Sequence, residues 1–169
     1  MPLVEKIPER HNGFIDVRGP RVAAGITAAF LLGVVFLGLI GAAVDAGASP
    51  WERVIDPAYL LLLLVWVNFA LGAFAPPAAR PLGLLYTKAI QPRIRPAQLF
   101  EDPRPPRFAQ LVGFLVTSVG ILLGAWLPWA VVISAAFAFV AAFLNAAFGY
   151  CLGCELYLWG RGARPRAQQ

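Results

Sequence analysis

The sequence predicts an all-α fold: a four-helix integral membrane bundle of two parallel helical hairpin repeats, with both chain ends cytoplasmic. Three observations predict it. First, 59% of the 169 residues are hydrophobic and 14% are charged, where soluble domains carry about 25% charged residues. Second, the apolar residues gather into four runs that contain no charge. Third, 13 of the 14 lysines and arginines flank the same ends of those runs. The whole chain, 1–169, reads as a single membrane domain.

The first run, 22–44, holds 23 uncharged residues. About 20 residues of helix cross a hydrocarbon core of about 30 Å. Only helices or closed barrels satisfy their backbone groups there, and no run alternates as barrel strands do. "AGA" at 46–48 imitates a signal cleavage site. The run is nevertheless longer than the roughly 7–15 residues of a signal core, and 21 residues precede it. The second run, 58–75, has 18 uncharged residues. The cytoplasmic loop 76–107 contains eight prolines and mixes apolar with basic residues. It is expected to lie irregularly along the inner membrane surface, with one short interfacial helix over 82–90. The third run, 108–127, has 20 uncharged residues, and the fourth is uncharged over 129–154. The fourth helix is expected over 129–158, with Tyr157 and Trp159 in the inner aromatic belt. The tail, 161–169, is expected to be disordered.

Basic residues orient the bundle. Lys6, Arg10, Arg18 and Arg21 precede the first run, and Arg80, Lys88, Arg93, Arg95, Arg104 and Arg107 lie in the central loop. Arg161, Arg164 and Arg166 follow the fourth run, while the opposite side holds only Arg53. Lysine and arginine favour the cytoplasmic side, so both termini are expected inside. The net charge of +5 then faces anionic lipid and calls for no nucleic acid. The bilayer is the first partner.

Short motifs suggest an internal repeat. "DVRGPRVA" at 16–23 and "DPRPPRFA" at 102–109 share D-x-R-x-P-R-x-A, and each opens an apolar run. Asn68 precedes Gly72 by four residues, as Asn145 precedes Gly149. Two parallel hairpins would result, with Cys151 and Cys154 opposite Phe74 and Pro77 and present in one half only. Small residues mark packing seams: Gly113, Thr117, Gly120 and Gly124; Gly25, Ala29 and Gly33; Ser134, Ala138, Ala141, Asn145 and Gly149. Such residues let helices approach closely in lipid. The intramembrane Asn68 and Asn145 fit an interhelical hydrogen bond or a polar pathway.

The chemistry-bearing candidates are the two cysteines, Cys151 and Cys154, spaced C-x-x-C at the inner boundary. At i and i+3 of a helix their sulfurs share a face, and Glu155 lies one turn from Cys151. A continuous helix places them at its C-terminal end, whose dipole disfavours a thiolate. Alternatively, Gly149 and Gly153 bracket Cys151, and a break at Gly149 would put Cys151 near a new helix N-terminus. Arg18, Arg21, Arg104 and Arg107 arrive at the same boundary and would favour a thiolate. Asp16 and Asp102 either orient those arginines or simply pair with them at the helix ends. The small-residue seam turns the cysteines away from the bundle, toward lipid, the loop or a partner. Cys154, nearer the tail, is the expected attacker and Cys151 the resolving thiol. No metal site is expected, because two thiols plus Glu155 fall short of four ligands and His11 is the only histidine. No cofactor fingerprint, phosphate loop or Ser/His/Asp set is visible.

"D-V-R-G-P-R" before the first helix, "P-R-P-P-R-F-A-Q" before the third and "C-L-G-C-E-L-Y" ending the fourth resemble a bacterial membrane family, domain of unknown function 4395. Its most specific piece, C-x-G-C-x-x-Y, matches at Cys151, Gly153, Cys154 and Tyr157. Val22 stands where the family commonly has an aromatic residue. The resemblance spans nearly the whole chain and implies a four-helix inner-membrane protein of unassigned activity, associated with thioredoxin-like or sulfurtransferase partners. Three functions are expected to compete. One is thiol–disulfide or sulfur exchange through Cys151 and Cys154 with such a cytoplasmic partner. The second is a small permease or channel subunit lined by Asn68 and Asn145, a homo-oligomer because four helices enclose little volume. The third is a scaffold without chemistry whose central loop recruits a partner.

Overall fold

The computed structural model describes residues 15–44, 47–94 and 99–160; the tail 161–169 and Arg95 lie outside the described residues. Seven helices and one two-stranded ladder are formed by the described residues. Helix α1, Arg18–Val44, has 27 residues, about 40 Å at 1.5 Å per residue. A short helix α2, Pro50–Val54, starts at a capping box between Ser49 and Glu52, which satisfies amide groups that a helix start leaves free. Asp56 then caps α3, Pro57–Phe74, by accepting the Ala58 and Tyr59 N–H groups. Ala75, Pro76 and Pro77 stop it, since proline cannot donate to a continuing ladder.

The segment 76–94 is more regular than its prolines suggest. It holds a short helix α4, Pro81–Leu85, that continues as a π-turn to Ile90, close to the helix expected over 82–90. Strand β2, Phe100–Glu101, then pairs antiparallel with β1, Ile15–Asp16. Helices α5, Arg104–Gly124, and α6, Pro128–Phe148, form the second hairpin. The single helix expected over 129–158 is two: α6 ends at Gly149, and α7, Leu152–Gly160, begins after a turn.

Four helices, α1, α3, α5 and α6, are long and apolar enough to cross a membrane. They form a ring in which each packs on two neighbours, in the order α1, α3, α5, α6 and back to α1. Leu31, Val34, Leu62 and Ala135 fill the axis at 0% exposure. Phe36, Leu64, Leu122 and Phe137 stand outward and exposed, the inverse of a soluble protein and the pattern that lipid solvates. The predicted seams lie at helix contacts: Gly113 rests on the Phe69 ring, Gly120 on Ser134, and Gly124 on Val131 and Tyr59. Buried Thr117 returns its hydroxyl to the Gly113 carbonyl at 2.8 Å, so this donor is not left unpaired in the core.

The repeat extends further than its motifs reveal. Arg21 at the start of α1 donates to the Ala146 and Ala147 carbonyls at the end of α6. Arg107 at the start of α5 donates to the Ala75 carbonyl that ends α3. Each hairpin's arginine thus caps the other hairpin's last carbonyls, where cations are favoured. A third helix follows each hairpin: α4 and its π-turn pack on α1, and α7 packs on α5. Both open on Leu-Gly, at 82–83 and 152–153, and both carry a tyrosine, Tyr86 against Gly19 and Tyr157 against Phe108.

At the rim, Glu101 is paired across the ladder from Ile15. Burial first, and then the charge of Asp16, push its carboxyl up to about 7 from 4.5. Because the folded value is the higher one, ionising Glu101 opposes folding: the ladder is best held below pH 4.5 and loses that contribution as pH rises through 7. Glu101→Gln is therefore expected to melt with the parent chain at pH 4 and above it at pH 8. Thermal unfolding in detergent at both pH values checks this, and equal melting at pH 8 refutes it.

Candidate functional site

The cysteines owe their position to one glycine. Gly149 adopts φ +68°, the left-handed region, which costs other L-residues about 1–2 kcal/mol. Its N–H donates to the Asn145 carbonyl at 3.0 Å, and the Tyr150 N–H donates to that of Leu144 at 3.3 Å. Together they close α6 with the paired bonds typical of a glycine C-terminus. The Arg21 guanidinium lies over this glycine, where a Cβ would stand 3.6 Å from its Cζ.

The chain then restarts. The Cys151 carbonyl accepts the Glu155 N–H at 3.0 Å, the first bond of α7. The Cys151 sulfur accepts the Cys154 backbone N–H at 3.3 Å, as a side-chain oxygen does at an ordinary helix cap. Cys151 and Cys154 are joined as a disulfide with Cα atoms 5.2 Å apart, and both residues are half-buried. The thiols therefore do not end the fourth helix; they open a new one. The helix end that would oppose a thiolate is replaced by one that favours it.

Helix α7 is held by close packing on α5. A Cβ on Gly153 would meet the Ala109 Cα at 2.5 Å, so the C-x-G-C glycine is where two backbones touch. Tyr157 and Phe108 rings lie 5.6 Å apart, and Leu158 is buried.

The expected supporting residues divide. Asp16 receives Arg18 through both carboxylate oxygens, at 3.1 Å from Nε and 3.0 Å from Nη2. It also receives the Tyr86 hydroxyl at 2.5 Å. Asp102 accepts the Arg104 backbone N–H at 2.9 Å. These acids secure helix starts, and the bonds to Arg18 and Tyr86 hold the Asp16 carboxyl below its usual range against the opposing effect of burial. Arg21 is the arginine beside the turn that leads to Cys151. Glu155 enters that turn through its backbone N–H.

Arg107 belongs to a second place. With Arg80, Asn68, Tyr86 and Gln110 it lines a cavity of about 610 Å³ between the start of α1, the end of α3, α4 and the start of α5. Asn68 and Asn145, equivalent in the repeat, thus separate: one borders this cavity, the other gives its carbonyl to the α6 terminus. Arg80, Tyr86 and Gln110 were not singled out from sequence. Only the paired Leu-Gly and tyrosine positions signal the rim helices that bring Tyr86 there. Among the described residues no three metal-ligating side chains cluster.

No curated protein and no solved structure matches the chain. The family model "Domain of unknown function (DUF4395)" matches residues 15–161, from the first rim strand through α7, and the chain belongs to that family.

Proposed function

We propose that Cys151 and Cys154 form a redox pair at the cytoplasmic rim of a bacterial inner membrane, exchanging with a thioredoxin-like or sulfurtransferase protein. One observation carries this reading: the pair is a half-exposed disulfide at the N-terminus of α7, with a backbone N–H aimed at the Cys151 sulfur. The cytoplasmic assignment draws on the arginines Arg18, Arg21, Arg80, Arg104 and Arg107 at that end against Arg53 at the other.

The exchange balances as follows. A partner thiolate attacks the Cys151 sulfur, the Cys151–Cys154 bond breaks, and Cys154 leaves as a thiolate. The partner's second thiolate then attacks the mixed disulfide and releases Cys151. The partner is oxidised by two electrons, the pair is reduced, and two protons end on its sulfurs. In the reverse direction Cys151 attacks, because its sulfur accepts the Cys154 N–H at the start of α7, while Cys154 lies inside the helix. This exchanges the roles expected for a continuous helix. A pore through one chain gains no support from the packing, since apolar side chains fill the axis.

The roles are separable by trapping. Cys154→Ser is expected to accumulate a mixed disulfide through Cys151 in membranes quenched with N-ethylmaleimide, at least tenfold above Cys151→Ser on a non-reducing gel. Equal trapping by both variants, or by neither, removes the proposal.

A further inference from the structure

The cavity at the inner rim has charge that no described carboxylate neutralises. Among the described residues, no carboxylate lies within ion-pair distance of Arg80 or Arg107; Asp16, the acid that lines the cavity, is already paired with Arg18. Both free guanidiniums instead converge on one carbonyl, that of Ala75. Arg80 donates from Nε and Nη2 at 3.1 Å each, and Arg107 donates from Nη2 at 3.3 Å. A carbonyl offsets only part of one charge, and a guanidinium has five N–H donors, so both arginines keep donors and charge to spare. Burial, and then the neighbouring Arg107, lower the Arg80 guanidinium from its ordinary value.

A second orphan points the same way. Gln110 lines the cavity, and its buried Oε1 has no hydrogen-bond partner. Buried polar atoms are rarely left so. Gly72 makes room for this side chain, because a Cβ there would stand 2.7 Å from Oε1. Most of the rest of the wall, including Pro20, Ala23, Leu82 and Phe100, is apolar, with Asn68, Thr87 and Gln91 as further polar side chains. The volume, about 610 Å³, falls within the roughly 300–1,000 Å³ of organic-ligand sites.

The other half of the repeat offers a comparison. Ala23 borders the cavity, and its equivalent Ala109 is covered by Gly153 of α7. Thus α7 closes over the matching surface of the second repeat, while the first keeps an open, cationic chamber.

We propose that this cavity binds the phosphate group of an organic phosphate that also carries a hydroxyl, anchored by Arg80 and Arg107, with the hydroxyl taken by the Gln110 amide as it turns from Gly72 into the cavity. Arginine forks suit phosphate oxygens, two cations attract either the single charge of a phosphodiester or the double charge of a phosphomonoester, and the largely apolar wall takes the organic part. The same glycerol phosphate chemistry has two sources, a lipid headgroup or a free metabolite, and two probes separate them. The full chain in detergent is mixed with phosphatidylglycerol or phosphatidylcholine for native mass spectrometry, and is titrated with glycerol 3-phosphate for thermal shift.

One retained phosphatidylglycerol per chain, in preference to phosphatidylcholine, supports the lipid source; a saturable shift with glycerol 3-phosphate supports the free one. Either binding is expected to weaken at least tenfold in Arg80→Gln/Arg107→Gln and to be unchanged in Arg53→Gln, at the opposite rim. Because the double variant also removes two caps from Ala75, Thr87→Trp provides a second arm that fills the cavity with both arginines in place. Loss of binding in Thr87→Trp supports the proposal. Binding by neither probe, or binding that survives Thr87→Trp, overturns it.

Discussion

Gly153→Leu is expected to release α7 from the bundle while the four long helices stay folded. A Cβ at this position would lie 2.5 Å from the Ala109 Cα and 2.6 Å from its Cβ. The obstruction is main chain on a rigid helix, so rotamer changes cannot relieve it and α7 must move away. Overpacking costs typically about 1–3 kcal/mol, and α7 has little to set against that. Its buried residues are Gly153 and Leu158, and its Tyr157 ring rests on Phe108. Nine residues do not hold a helix in water without packing, since isolated helices below about 12–15 residues are marginal. Once α7 loosens, the Cys151–Cys154 turn loses the Cys154 N–H that faces the Cys151 sulfur. Hydrogen exchange across 152–160 should rise by at least tenfold, and reduction of the disulfide by dithiothreitol should speed up, with global melting little changed. Unaltered exchange protection would show that α7 is held by something other than this contact.

The same glycine shows what the sequence can and cannot reveal. The spans were legible because desolvating a charge in lipid is expensive, so charge-free runs mark the first three to within about four residues, while the fourth run passes the end of its span at Phe148. Helix α5 starts earlier than its apolar run, at Arg104, because Pro105 and Pro106 are tolerated in a first turn that needs no N–H donors. The break at Gly149 was legible only as one of two alternatives. Hydrophobicity continues unbroken through 149–154, so it cannot separate a helix from a helix, a turn and another helix. Gly149 is required for its backbone conformation and Gly153 for backbone contact, yet the two look alike in sequence. The cavity was hidden for a different reason. Arg80, Tyr86, Arg107 and Gln110 come from separate segments, and the ladder that gathers them joins residues 15–16 to 100–101 through two strands too short to leave a periodic signal.

Gly120→Leu is expected to produce the opposite outcome, a failure of the whole bundle. Gly120 is buried where α5 crosses α6, and a Cβ there would fall within bonding distance of the Ser134 hydroxyl oxygen and 2.7 Å from the Ser134 Cβ. Leu62 of α3 closes the third side at 3.2 Å and is itself fully buried, so the new side chain has no direction in which to turn. Parting α5 from α6 would also disturb Gly124 against Val131 and Tyr59, and with it the bond from the Tyr59 hydroxyl to the Ile121 carbonyl at 3.0 Å. In lipid the separated surfaces are as well solvated as the joined ones, so little hydrophobic drive restores the contact. A loss of about 3 kcal/mol or more is expected, seen as a lower detergent melting temperature or failure to recover folded protein. Gly25→Ala is the matched control, since a Cβ there meets only the Ala146 Cβ at an ordinary 3.7 Å and should leave melting unchanged. If Gly120→Leu instead melts like the parent chain, close approach of α5 and α6 is not needed to hold the ring together.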